Sequence, residues 1–304
     1  MCRVVVCLAV IVGTAGCAAR SGTHTAASAS TPYLQPPSDA LAVFMEKVRV
    51  KSERARPAPD RVRTIEASDP ALAAALRGVS MQPTAAGHRA VALAYVRLGI
   101  LDQAHEHFSA AVALEPHDAA SWDGLARIWR DWGFPHLALS DAYRAVYHAP
   151  DSPAAHNTLG TVLHALGQHG AARAEFEQAL ALDVTAAYAL SNLCVAWRIS
   201  GHASKAAEAC RQALQLQPDL EPARNNLALA YEAAGDPASA LATLAASTDA
   251  ARAAYNKGLL HLARREYREA LRSFDVARAE RPRFRQAEAV ARQLRARLQE
   301  GNRP

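Results

Sequence analysis

The chain has 304 residues, 50% apolar but only 6% aromatic, with a formal net charge of +5 and a pI near 9.1. Alanine fills the difference, and alanine is both the best helix former and the smallest residue able to sit between two packed helices, so the composition reads as an all-α chain. The positive charge is almost all arginine (lysine occurs only at Lys47, Lys51, Lys205 and Lys257) and forms no basic run interleaved with aromatics, which argues against nucleic acid as the partner.

Residues 1–16 read as an export signal: Arg3 precedes an apolar run from Val4 to Val12. That run is too short to span a bilayer, which takes about 20 apolar residues, and suits the core of a secretory signal. Small residues then lead to a cysteine in Thr14-Ala15-Gly16-Cys17. Residues 17–63 are rich in Ser, Thr, Ala and Pro ("RSGTHTAASASTPYLQPPSD") and serve as a tether. Within them, "DALAVFMEKVRV" suits one short amphipathic helix. Residues 64–84 form a helical lead-in, with a helix from Pro70 to Val79 capped by Ser68 and carrying Pro70 in its first turn.

From residue 85 the chain repeats itself. Ala104, Ala138, Ala172, Ala206 and Ala240 are 34 residues apart, as are Gly99, Gly133, Gly167, Gly201 and Gly235. Pro116, Pro150 and Pro218 keep the same step, and Pro282 closes the last unit. A fixed period of this size predicts a solenoid of helical hairpins. Glycine ends the first helix in a left-handed turn, alanine lets the second helix approach, and proline stops it. Phe108, Phe176 and Phe274 are the large residues of the second helices; Tyr95, Trp129, Trp197 and Tyr231 are their counterparts on the first. Units start near 85, 119, 153, 187, 221 and 251 and run to 282; residues 283–304 are a capping helix and tail with an arginine-rich polar face. The fifth unit lacks four residues, so its second helix should end early, near Ser247, with a local change of superhelical pitch. The sixth unit carries Arg265 where the others have the turn glycine.

This pattern, over Thr84 to Pro282, resembles the tetratricopeptide repeat. The resemblance implies a right-handed α-solenoid of about six helix hairpins that binds a protein or peptide segment in its concave face. Thr14–Cys17 resembles a bacterial lipobox with threonine where leucine is usual, which implies a lipid on Cys17 and an outer-membrane anchor facing the periplasm. "NNLALAYEAAGD" is similar to tetratricopeptide lipoproteins of tight-adherence pilus assembly. The reading is therefore a membrane-tethered periplasmic adaptor in assembly of a pilus, secretion or envelope complex; a structural oligomerising subunit and a regulator of an envelope enzyme are the alternatives.

No nucleophile elbow, phosphate loop or convergent carboxylate pair occurs in the sequence, so neither catalysis, a cofactor nor a small-molecule substrate is expected. His105 and His107 lie about 200° apart around a helix and so cannot share one metal ion. His88 and His156 share a repeat position with Trp122, and His261 the slot of Tyr95 and Trp129; all read as packing residues.

Two constellations remain. Folding the fourth hairpin about Gly201 sets Cys194 opposite Cys210, within disulfide reach for helix axes about 9 Å apart. On the first helices, Asn192 and Val195 point about 150° away from the packing face of Leu190, Leu193, Cys194 and Trp197. The next units place Asn226 with Leu229 and Asn256 with Leu259 there, flanked by Tyr188 and Tyr255, with Asn157 and Asn225 one step aside. An amide both donates and accepts, so this row suits a peptide backbone; it resembles the asparagine ladder in the repeats of O-linked N-acetylglucosamine transferases. Arg89, Arg97, Asp123, Arg127 and Arg130 charge the other end of the groove, with an acidic part of the peptide expected near Arg127.

Overall fold

The computed structural model describes residues 64–66 and 68–300. The export signal, Cys17, the tether and the "DALAVFMEKVRV" segment lie outside the described residues.

All regular structure among the described residues is helical. The lead-in is α1 (Pro70–Met81). Six hairpins follow: α2 (Ala85–Arg97) with α3 (Leu101–Leu114), α4 (Ala119–Asp131) with α5 (Pro135–His148), α6 (Pro153–Ala165) with α7 (His169–Leu182), α8 (Ala187–Ile199) with α9 (Ala203–Leu216), α10 (Glu221–Ala233) with α11 (Pro237–Ala245), and α12 (Ala250–Ala263) with α13 (Tyr267–Glu280). The last helix is α14 (Arg285–Glu300).

The cap of α1 is Asp69, whose side chain accepts from the Leu72 backbone N–H at 2.9 Å. Ser68, the expected cap, instead donates to the Ile65 carbonyl. Both residue types cap well; the one beside Pro70 has the extended backbone a cap needs.

Every hairpin turns the same way. The five turn glycines have φ between 73° and 79°. The residue after each donates to a carbonyl five residues back: Ile100 to Tyr95, Phe134 to Trp129, Gln168 to Leu163, His202 to Trp197 and Asp236 to Tyr231. That bond closes a helix end whose carbonyls would otherwise lack partners. In the sixth unit Glu266 donates to His261 in the same way, but Arg265 must hold φ at 63°. A left-handed non-glycine residue is strained by roughly 1–2 kcal/mol. Arg265→Gly is therefore expected to stabilise the chain, by about 0.5–1 kcal/mol after the entropy glycine adds to the unfolded state. An unchanged or lower denaturation midpoint would contradict this.

The core is a column of matched slots, one on each helix of a hairpin. Gly160 faces Phe176 and Gly258 faces Phe274; a Cβ on either glycine would lie 2.5 Å and 2.7 Å from the ring. Ala228 takes the same slot opposite Leu244, while the Phe108 ring lies against Gly124 of the next unit, where a Cβ would be 2.5 Å away. In the fourth unit the pair is Cys194 and Cys210, joined by a disulfide with Cα atoms 5.5 Å apart. Both are fully buried and pack with Ala206, Leu227 and Ala230. The bond fills a volume that the third and sixth units fill with a ring.

Successive units are also tied by one recurring hydrogen bond. Trp122 Nε1 donates to the Pro116 carbonyl at 2.8 Å, and Arg224 donates to that of Pro218. His156 Nε2 lies 2.9 Å from the Pro150 carbonyl, and its Nδ1 lies 2.7 Å from Glu175. This position is more than packing: each side chain partners the carbonyl left open where the previous second helix stops.

First helices of neighbouring units pack on one another, most extensively α4 on α6 and α8 on α10; no comparable packing joins successive second helices. The array therefore curves with its first helices inside. The fifth unit breaks the pattern: α11 has nine residues where other second helices have 14, and ends at Ala245. No such packing joins α10 to α12. At the C-terminal end α14 covers the last hairpin with Ala287, Ala291 and Leu294, while Arg285, Arg292 and Arg297 are exposed.

Candidate functional site

The inner face carries a polar ladder. From α6 onward each first helix presents two adjacent side chains at the same height, and the second of one unit bonds the first of the unit before. Asn192 Nδ2 donates to Asn157 Oδ1 at 2.7 Å, Asn226 Nδ2 to Ser191 Oγ at 3.2 Å, and Asn256 Nδ2 to Asn225 Oδ1 at 2.7 Å. The Thr158 side chain bonds Asp123 one unit earlier. The row thus braces unit to unit first. Asn192 and Asn256 keep their carbonyl oxygens, and Asn157 and Asn225 their N–H donors, for another partner.

The expected groove residues divide between two cavities. The larger, about 890 Å³, lies across α4, α6, α8 and the start of α10. Arg127, Asn157, Tyr188 and Asn192 line it, together with Asp123, Arg130, Thr158, Thr161, His164 and Ser191. Tyr188 is 41% exposed, and burial together with Asp183 and Asp123 raises its hydroxyl pKa. A second cavity, about 130 Å³, opens between α10 and α12. Asn225, Leu229, Asn256 and Leu259 line it with Leu244 and Ala263. Val195, Asn226 and Tyr255 line neither. Tyr255 is a correction: its ring packs 5.5 Å from Phe274 and 5.0 Å from Phe284, in the core that α14 covers. Asn226 donates to Ser191 as Asn192 and Asn256 donate to their neighbours, but it stands between the two cavities.

Asp123 shapes the electrostatics of the larger cavity. Burial pushes its carboxyl above the usual range, against Thr158, Arg127 and Arg130, which stabilise the charged form. Its Oδ1 is buried without a hydrogen-bond partner. Arg127 is half-exposed with one nitrogen 3.9 Å from Asp123, while Arg130 donates to Thr161 and Asp131. His164, Thr158, Thr161 and Ser191 were not singled out in the sequence. The repeat register would have found them, since Ser191 shares the position of Asn157, and Thr158 that of Asn192.

The remaining histidines partner rings and carboxylates. His105 packs on Trp129 and Trp132, with ring centroids 4.8 and 5.4 Å away; His107 pairs with His88, Nδ1 to Nδ1 at 3.1 Å. His261 Nδ1 lies 2.5 Å from Glu266, so it packs and bonds.

Residues 153–183, the third hairpin, match the tetratricopeptide-repeat family. The third hairpin thus matches the tetratricopeptide repeat, and the other hairpins share its fold and register. Among solved structures the array is similar to the Cut9–Hcn1 assembly (20% identity, TM-score 0.60), over 72% of this chain but 45% of that one. It is similar to a tetratricopeptide repeat protein from Parabacteroides merdae (15% identity, TM-score 0.59), over 83% of this chain and 99% of that one. It is also similar to PilW, a type IV pilus biogenesis factor (21% identity, TM-score 0.58), over 68% of this chain and 97% of that one. No curated protein matches the chain. Tetratricopeptide repeats are protein-interaction scaffolds, and the inner face described above is the surface such a scaffold offers.

Proposed function

We propose that the chain is a membrane-tethered periplasmic adaptor that holds an extended protein segment on the inner face of its repeats. The observation that carries this reading is the 890 Å³ cavity, where Arg127, Asn157, Tyr188 and Asn192 meet from three consecutive units. The free halves of the asparagine pairs match a peptide backbone. The likeness to PilW favours assembly of a pilus or related envelope machine. The anchor is the lipid expected on Cys17, and the outer membrane the expected site. A fatty-acid probe should label the chain, and Cys17→Ser should abolish that label; a label that persists ends the lipid assignment.

The groove is tested with a photo-crosslinking residue at Tyr188 or, as control, at Tyr147, which is 80% exposed on α5 and lines neither cavity. One partner should crosslink at Tyr188 and not at Tyr147. Arg127→Ala with Tyr188→Ala should abolish the crosslink from a probe at Leu229 with little change in melting temperature. Equal capture at both sites would show that the inner face is not where the partner lies.

A further inference from the structure

The larger cavity has two walls of opposite chemistry. Arg130, His164 and Arg198 occupy one repeat position in units two, three and four, so α4, α6 and α8 present a row of nitrogen groups at one height. In unit five that position holds Glu232, which is bonded to Arg264, and the row ends. Along the row, His164 Nδ1 and Arg198 Nε are buried without hydrogen-bond partners, as is Nδ1 of His169, whose ring centroid lies 5.0 Å from that of His164. The second wall, two helical turns earlier on α4, holds the unpartnered Asp123 Oδ1. A buried polar atom left unbonded costs about 1–3 kcal/mol, so these atoms mark what a ligand supplies: an acceptor on one side, a donor on the other.

A phosphate or a lipid head group brings negative charge to both walls and meets Asp123 unfavourably. A peptide alternates backbone N–H donors with side-chain acceptors. Resting on the reading of this cavity as a peptide groove, we propose that the bound segment is acidic. One Asp or Glu side chain accepts from His164, with Arg127 and Arg130 supplying the complementary charge, and a donor of an adjacent residue meets Asp123 Oδ1.

The proposal fixes a sign for pH. Burial holds the His164 pKa below its ordinary value, and His169 and Arg198 act in the same direction. The groups facing it are His169 on α7, Arg198 on α8, and Arg127, Arg130 and Asp123 on α4, with the Tyr188 hydroxyl across the cavity. A ligand carboxylate against the imidazole raises its pKa in the complex. The complex then binds more protons than the free chain, and affinity rises as pH falls from about 7.5 to about 6.

The test is selection of a random nine-residue display library on the full chain. The selected consensus peptide, and its Glu/Asp→Gln/Asn version, are then measured by fluorescence anisotropy. The selected pool should be enriched in Asp and Glu, and the amide version should bind about tenfold more weakly, a loss of about 1.4 kcal/mol. Affinity for the acidic peptide should rise several-fold from about pH 7.5 to about pH 6. His164→Gln should flatten that rise, and the half-exposed Arg127→Gln should weaken acidic peptide alone. A neutral or basic consensus overturns the proposal, as does a pH rise that persists in His164→Gln. Anionic vesicles whose binding depends on His164 and Arg127 as the peptide's does would also overturn it, in favour of a head group. A pool identical on the wild type and on the Arg127→Ala, Tyr188→Ala chain would reject the groove reading itself.

Discussion

Phe176→Ala is expected to lower the stability of the array by about 3–5 kcal/mol, the usual cost of emptying a fully buried aromatic site. The ring is 2% exposed and packs with Ala142 of α5 and Leu159, Val162 and Leu163 of α6. Its edge occupies the space where Gly160 lacks a side chain, and a glycine cannot lean in to close the hole. Gly160→Val should also destabilise, by roughly 1–3 kcal/mol through overpacking. The double variant should recover part of the loss, because valine then fills what the ring vacated. Guanidinium denaturation of the four proteins measures this; strictly additive effects would show that the two residues do not share one slot.

Opening the Cys194–Cys210 bond is expected to cost about 3 kcal/mol, since it closes a loop between residues separated by 16 in sequence. Reductant and the Cys194→Ala, Cys210→Ala variant should lower the denaturation midpoint by similar amounts. The intact mass of the denatured chain should rise by about two daltons on reduction, as two thiols replace one bond. A midpoint indifferent to reductant would count against a stabilising bond. The slot argument adds a rescue: Cys194→Gly with Cys210→Phe rebuilds the pair found in the third and sixth units, and should be more stable than the alanine double.

The turns and the disulfide slot were legible because the chain writes them repeatedly. Gly99 through Gly235 recur at one step, so a single local rule places five turns, and Cys194 is located by Gly160 one period earlier. What failed lies between units or at ends. The angular position of Asn192 on α8 puts it on the inner face, but its bond to Asn157 depends on how far one unit rises over the next, which the period does not state. Asn226 turned to Ser191 for the same reason. Tyr255 left the groove because α14, which the repeat period does not describe, packs over its hairpin. At Ser68 and Asp69 two adjacent residues compete for one cap, and Pro70 decides. His164 was passed over since it looks unremarkable alone; only beside Arg130 and Arg198 in register does it become one step of a row.

The shortened α11 has a consequence for how the molecule comes apart. In a chain of nearest-neighbour couplings, cooperativity is only as long as its weakest link. Between α8 and α10 two kinds of coupling act at once, helix packing and the Asn226–Ser191 bond. Between α10 and α12 direct helix packing is slight, the polar ties are Asn256–Asn225 and Arg264–Glu232, and α11 meets α12 less extensively than α9 meets α10. The array is thus a long block, α2–α11, joined to a short block, α12–α14, across a seam. Thermal unfolding should run in two stages, with amides of α12–α14 exchanging with solvent well before those of α8.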